Sequence, residues 1–499
     1  MATRLVFLGS SHLCHSLVTP LIFALSFLLL TSTTYAQVTQ TIGTGGLGTQ
    51  VQFTNNVYGI TEGTRIDSNL FHSFGDFSIT AVETAQFQTT NLAPDGTIGN
   101  ILGRVTGSNP SSLFGTIDSA TYYPGANLFL INPNGMIFGP SAVINVGGIV
   151  HFTTADYLRL DEAGGPNAGI FHADLTQPTL LANAPVTAFG FLGSNPDAIT
   201  VEGSQLILAN GTGLSLVGGN VSIGADPATG TPVYISAPSG KIDLVSVASP
   251  GEILYPSLQT GPNITGQTFT AKGIVSISDF SFLDVSGFAG EGSEAGGAVR
   301  IRGGQFVMDN LSVIQNMTLG DTAGENPGIS VVVDHDVRLS NLSSISVGTG
   351  TGLGRSGNLD VSAENVEILN GSFLTSTSGG PAAPGDITIT ATQSLTVSGL
   401  DPFVGTEPSN ISTTAESSIE GGNITIDSAG STLSVQDDAS IATSSNTGRA
   451  GNITLSSDIL NVTNGGGGKD NKCQRIVRHN YDHRERFSCH LRSIYPRQL

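Results

Sequence analysis

Eight times along the chain a glycine is followed by apolar residues two and four positions on: Gly219 (Val221, Ile223), Gly240 (Ile242, Leu244), Gly273 (Val275, Ile277), Gly297 (Val299, Ile301), Gly357 (Leu359, Val361), Gly385 (Ile387, Ile389), Gly422 (Ile424, Ile426) and Gly451 (Ile453, Leu455). The unit at Gly328 slips by one residue. A second landmark falls 13 to 15 residues after the glycine, apolar-x-apolar-x and then Asn or a substitute, as in Phe306-Met308-Asn310, Val337-Leu339-Asn341, Val366-Ile368-Asn370 and Leu433-Val435-Asp437. Gly287 and Gly399 stand in its place, which fits a corner needing φ > 0. Glycine spacing varies from 21 to 37 residues while the offset to Asn hardly moves, so insertions fall on one side of each unit. Period-2 strands with aligned corners specify an all-β solenoid rather than a sandwich, whose strands need hairpin turns. A coil of about 25 residues and a rise of about 4.8 Å predict some 17 coils over roughly 80 Å, with stacked Asn side chains hydrogen-bonding along the axis.

Upstream, Asn127 to Thr154 reads as strands of about four residues meeting at tight corners. Leu128–Ile131 and Met136–Phe138 flank Asn132-Pro133-Asn134-Gly135; Val143–Val146 follows Gly139-Pro140-Ser141, and Ile149–Phe152 follows Gly147-Gly148. Pro presets φ, and Asn and Gly tolerate φ > 0, so each break is a turn. No helical pattern supplies crossovers. The fold predicted is a right-handed parallel β-helix. From Gln37 to about Phe191 the strand pattern is otherwise irregular, and this region is expected to cap the unpaired end of the stack.

The same stretch resembles the N-terminal secretion domain of filamentous-haemagglutinin-type exoproteins, the cargo of two-partner secretion, where an N-P-N-G-I motif recurs; Met136 replaces the Ile here. The segment Asn100 to Ile117 resembles the region of the family's other N-P-N motif, of which Asn109-Pro110 remains. The resemblance covers roughly residues 37 to 290. It implies a secreted, adhesin-like exoprotein that crosses the outer membrane through a partner β-barrel transporter (TpsB-like), whose periplasmic domains read Asn109, Pro110, Asn132, Pro133, Asn134 and Gly135. Host or surface glycans, or other cells, are the expected targets outside.

The ends differ from the body. Residues 1 to 36 read as a secretory signal: Arg4, an apolar run from Leu17 to Leu30, and Thr34-Tyr35-Ala36 as a cleavage site. At about 14 residues the run is short for a membrane span of roughly 20, so a soluble mature protein beginning near Gln37 is expected, and the resemblance implies export through the periplasm of a Gram-negative-type cell. Of 19 Lys and Arg, eight follow Gly468, leaving 10 basic against 36 acidic residues between Gln37 and Gly468. That excess argues against nucleic acid and anionic membranes as partners. The body has no cysteine, so no disulfides hold it, and a continuous apolar interior must. Repeats are expected over 291–464. Residues 465–499, basic and without alternation, read as a disordered tail, the truncated or frame-shifted end of a longer exoprotein.

No cofactor, metal site or catalytic residue is assigned. Cys473, His479, His483 and Cys489 are spaced C-x5-H-x3-H-x5-C, wider than usual for zinc. Asp334-His335-Asp336 and Asp437-Asp438 are carboxylate pairs of a kind that Ca²⁺ or a polysaccharide-cleaving β-helix uses, but they sit at repeat positions and read as solvated coil surface. A carbohydrate-active β-helix enzyme is thus the alternative to a non-enzymatic exoprotein. Sequons such as Asn423, Asn452 and Asn461 arise from the repeat itself.

Overall fold

The computed structural model describes residues 47–161, 169–255, 269–287, 294–416, 420–446, 448–463, 476–479 and 486–489. The chain divides into Met1–Thr34 and Tyr35–Leu499; the signal-like segment lies outside the described residues, and the second unit is described below.

Its coils form a right-handed parallel β-helix, the hand that crossovers between parallel strands adopt. A first ladder runs through Asn69–Phe74, Asn100–Val105, Asn127–Ile131, Val150–Thr153, Gly213–Gly218 and Lys241–Ser246. It continues in the leading halves of Ala298–Met308, Ile329–Leu339, Leu359–Leu369, Ile387–Ser398, Ile424–Gln436 and Ile453–Thr463. The trailing halves of those long strands continue a second ladder begun by Ser111–Leu113, Met136–Phe138, Ile199–Glu202, Val221–Gly224 and Ile274–Ile277, with a register shift marking each bend. A third ladder stacks Gln205–Ile207, Tyr234–Ser236, Phe282–Asp284, Val313–Thr318, Ser344–Thr349, Phe373–Ser378, Asn410–Ala415 and Ser440–Ser445. Twelve strands make the first ladder among the described residues, fewer than the seventeen coils expected. Part of the difference is chain in strands outside the helix, Tyr157–Leu160, Gly169–His172, Val186–Phe191 and Gly251–Leu254, and part is longer coils, since Val299, Ile329 and Leu359 stack at intervals of 30 residues.

Inward positions hold one apolar core. In Ile424–Gln436, Ile424, Ile426 and Leu433 are buried while Thr425 and Asp427 face outward. The glycine landmark has a steric cause. Gly240, Gly297, Gly357, Gly385, Gly422 and Gly451 open first-ladder strands, and a Cβ on Gly297, Gly385, Gly422 or Gly451 would collide with the carbonyl oxygen of the glycine one coil before. Close backbone approach, not positive φ, excludes a side chain there. The one-residue slip at Gly328 holds, since Ile329 pairs with Leu359.

Two landmark assignments are corrected. Gly219 and Gly273 precede second-ladder strands, a different corner from their apparent equivalents. Gly287 is not the substitute for Asn; that corner is held by Asp279, at φ 57°, beside Asn310 (55°), Asn341 (54°), Asn370 (55°), Gly399 (89°) and Asp437 (54°). The side chains form the expected axial ladder. Asn310 Nδ2 donates to Asp279 Oδ1 (2.9 Å), Asn341 Nδ2 to Asp309 Oδ1 (2.8 Å), and Asn370 Nδ2 to Asn341 Oδ1 (3.1 Å).

At the N-terminal end, Thr49–Thr54 pairs antiparallel with Val57–Glu62, which pairs in parallel with Thr84–Phe87. The outer strand of this hairpin is mostly polar, a cover for an open sheet end. From Asn69 to Thr153 the coils are regular, contrary to the irregular reading of residues 37 to 191. Period 2 is hidden there because outward positions are apolar too. They lie under an antiparallel sheet of Tyr157–Leu160, Gly169–His172, Val186–Phe191 and Gly251–Leu254. Phe71, Leu102, Phe129, Ile131, Phe171, Phe189 and Ile253 form a second core between sheet and helix. The tail also departs from expectation: Ile476–His479 and Arg486–Cys489 pair antiparallel, and Phe487 meets Ser457.

Ile424→Asp places an unpaired charge in the core and should lower stability by about 4 kcal/mol, whereas outward Thr425→Asp should change it by less than about 0.5 kcal/mol. Chemical denaturation midpoints check this, and equal shifts would show that the register is wrong. Gly385→Ala forces a Cβ against the Gly357 carbonyl and should cost about 3 kcal/mol in the same assay.

Candidate functional site: a stacked asparagine corner

Asn132 to Gly135 turns the chain from Asn127–Ile131 into Met136–Phe138. Gly135 has φ 99°, a conformation L side chains rarely adopt, and its amide donates to Asn132 O (3.2 Å) to close the turn. The Asn132 side chain is fully buried and saturated. Its Nδ2 donates to Asn109 O (3.0 Å) and Ser111 Oγ (2.9 Å), and its Oδ1 accepts from Asn134 N (3.0 Å) and Asn134 Nδ2 (3.1 Å). Asn134 Nδ2 also donates to Gly107 O (2.9 Å).

All six residues singled out in the sequence therefore meet in two corners stacked one coil apart. Asn109 and Pro110 lie on the surface, Pro133 and Asn134 are half-buried, and Asn132 and Gly135 are buried. The column continues in both directions: Asn109 Nδ2 donates to the Asp76 carboxylate (3.2 Å), and Met136 N donates to Ala198 O (3.1 Å). Asparagine suits this corner because one short side chain both accepts from its own turn and donates to the preceding coil.

Two sets of residues beside the corner were missed in the sequence. Asn69, Asn100 and Asn127 form a second amide ladder, Asn100 Nδ2 donating to Asn69 Oδ1 (2.9 Å) and Asn127 Nδ2 to Asn100 Oδ1 (3.0 Å). Asn69 Nδ2 donates to Ala182 O (3.0 Å) and Ala184 O (2.9 Å), tying the covering sheet to the helix. The signal was present in Asn-Leu-Phe at 69 and 127 and Asn-Ile-Leu at 100. Arg104 is buried, donates to Ser73 Oγ (3.1 Å), His172 O (2.6 Å) and Thr179 Oγ1 (3.1 Å), and sits 5.0 Å from the Phe171 ring centroid. Burial pulls its pKa down to about 10. One cation in a β-strand carries no sequence sign of that role.

The other candidate groups do not converge. Asp334 pairs with Lys272 (2.6 Å), His335 with Glu364 (3.2 Å), and Asp336 accepts from Gln305 and Asn365 in neighbouring coils. Asp437 accepts from Ser398 (2.7 Å). These are coil-to-coil ladders, and no group of three His, Cys, Asp or Glu fit to hold a metal occurs among the described residues. Cys473 and His483 lie outside the described residues, as do the side chains of His479 and Cys489.

A β-helix with a capped N-terminal end, a covering antiparallel sheet and an Asn-Pro-Asn-Gly corner defines a class that comparison with known proteins makes specific. The sequence profile of the TPS secretion domain matches residues 36–301, and the chain belongs to this family of two-partner-secretion exoproteins. A heme/hemopexin-binding protein of Haemophilus influenzae is 29% identical over 147 residues, a match covering 30% of this chain and 14% of that protein's length. Among solved structures, the HMW1 secretion domain from Haemophilus influenzae is similar at 15% identity and a TM-score of 0.46, covering 85% of this chain and 99% of that one. The filamentous hemagglutinin secretion domain is similar at 14% identity and a TM-score of 0.32, covering 87% and 98%. The alternative of a carbohydrate-active enzyme is not favoured.

Asn132→Ala removes four hydrogen bonds, among them that of the buried Ser111 hydroxyl, and should destabilise the protein by about 3 kcal/mol. Asn109→Ala loses one exposed contact and should cost under about 0.5 kcal/mol. Urea midpoints of the two variants check the difference.

Proposed function

We propose that this chain is the cargo of a partner outer-membrane β-barrel transporter, and that Asn109, Pro110 and Asn132 to Gly135 are the signal the transporter's periplasmic domains read. The route begins at the Sec machinery, directed by residues 1–36, and passes through the periplasm to the cell surface. There the repeats form a non-enzymatic, adhesin-like stalk. The observation carrying this reading is the stacked corner, which unites both motif segments inside the matched secretion domain.

Burial of Asn132 is compatible with recognition because cargo reaches a transporter unfolded. In the extended chain Asn132 and Asn134 offer free amides to a partner; once the coil forms, the same amides turn inward. Each coil that folds buries apolar side chains on the one before, which biases transport outward without a nucleotide energy source. An emerging chain needs a first coil that closes by itself, and the hydrogen bonds of Asn132 and Asn134 give this corner that property.

Replacing Asn134 by Ile in cells carrying the partner should trap the protein in the periplasm, where it is degraded. The same variant, purified and refolded, should retain most of its β-signal because one corner is altered. Normal amounts outside the cell would eliminate the recognition role, and loss of folding in both settings would assign the motif to structure alone.

A further inference from the structure

The secretion domain contains two imidazoles buried where a charge is disfavoured. His72 points into the β-helix interior at the first regular coil and is 1% exposed. Its Nδ1 lies 3.2 Å from Thr49 Oγ1, its Nε2 has no hydrogen-bond partner, and the Phe87 and Phe74 rings lie at 5.4 and 6.0 Å. His151 sits between helix and covering sheet, also 1% exposed, with neither ring nitrogen partnered. It stacks on Phe129 at 4.4 Å, with Tyr255 at 5.0 Å and Phe189 at 5.9 Å.

Among the described residues, no carboxylate offsets the burial of either ring. In the N-terminal cap the buried ionisable pair is Glu83 and Tyr58, and Tyr58 Oη donates to Glu83 Oε1 (3.2 Å). Around His151, Tyr255 is the ionisable group in contact, and Asp243, two register steps along the same outward column, faces Arg300 (3.7 Å). His172 differs, because Asp156 and Asp174 oppose the effect of its burial.

We propose that His72 and His151 couple folding of the secretion domain to proton release, so that mildly acidic surroundings weaken the folded state and neutral surroundings favour it. Its value for export rests on the cargo reading above, but the folding equilibrium itself does not involve the transporter. Desolvation pulls both imidazoles from 6.5 to about 3. A lowered folded-state pKa means the unfolded chain binds the extra protons, so stability is complete above about pH 6.5 and falls as pH drops toward 3. Asp243 acts in the opposite sense, since burial raises it to about 6, and a comparison of variants with wild type cancels its contribution.

The test is urea denaturation of the full chain at pH 7.5 and 5.5. Each histidine should lower the folding equilibrium constant about tenfold across that interval. His151→Phe, near-isosteric beside Phe129, and His72→Leu should each remove one such factor, while His335→Gln at an exposed site should keep the wild-type dependence. A wild-type dependence retained in both buried-site variants overturns the proposal. Should a variant fail to fold, the imidazole NMR signals of the wild type settle it: neutral rings at pH 5 support the proposal, and titration near 6.5 overturns it.

Discussion

Every other feature depends on backbone pairing between successive coils. A parallel strand that hydrogen-bonds to the coil on either side has no free edge, so the stack can lengthen without the edge pairing that makes open sheets aggregate. The requirement reaches individual atoms at the glycine column, where one coil's carbonyl occupies the space of the next coil's Cβ. It also fixes register, since a one-residue slip would turn the whole inward set toward solvent. With no cysteine between Gln37 and Gly468, stability rests on that continuous interior.

Polar side chains are organised by the same stacking. Amides at corners meet an amide or a carboxylate one coil away, giving ladders at Asp279–Asn310, at Asn341–Asn370 and at Asn69–Asn100–Asn127. The Asn132 corner extends the theme by turning one amide fully inward, where it links its own turn to the coil before. Charged residues obey the rule as well: His335 and Asp336 find partners on neighbouring coils and Asp334 reaches Lys272 two coils away, instead of converging on a catalytic centre.

The secretion domain differs from the downstream repeats in what lies outside the helix. Along one outward column of the first ladder, Phe71, Leu102, Phe129 and His151 give way to Ser215, Asp243, Arg300, Ser330 and Asp360, and then to Thr388, Thr425 and Thr454. Apolar outward residues accompany the covering sheet, and hydroxyls appear where water replaces it. Arg104 and Asn69 tie that sheet down through backbone carbonyls of residues 172, 182 and 184.

The sequence alone determined the fold class, the inward positions of the repeats and the axial Asn ladder, because these follow from period-2 alternation and corner chemistry, which are local. It also marked Asn109, Pro110 and Asn132 to Gly135 as belonging together, through their resemblance to a known motif. Only the tertiary structure decided which corner each glycine occupies, since Gly219 and Gly240 look alike until their strands are paired with different neighbours. It alone decided that Asp279 rather than Gly287 completes the corner column, that Tyr157–Leu160, Gly169–His172 and Val186–Phe191 fold back over the helix, and that Asn132 faces inward. Those features depend on contacts between residues far apart in the chain, and alternation within a single strand is the same whether its outer face meets water or a second sheet.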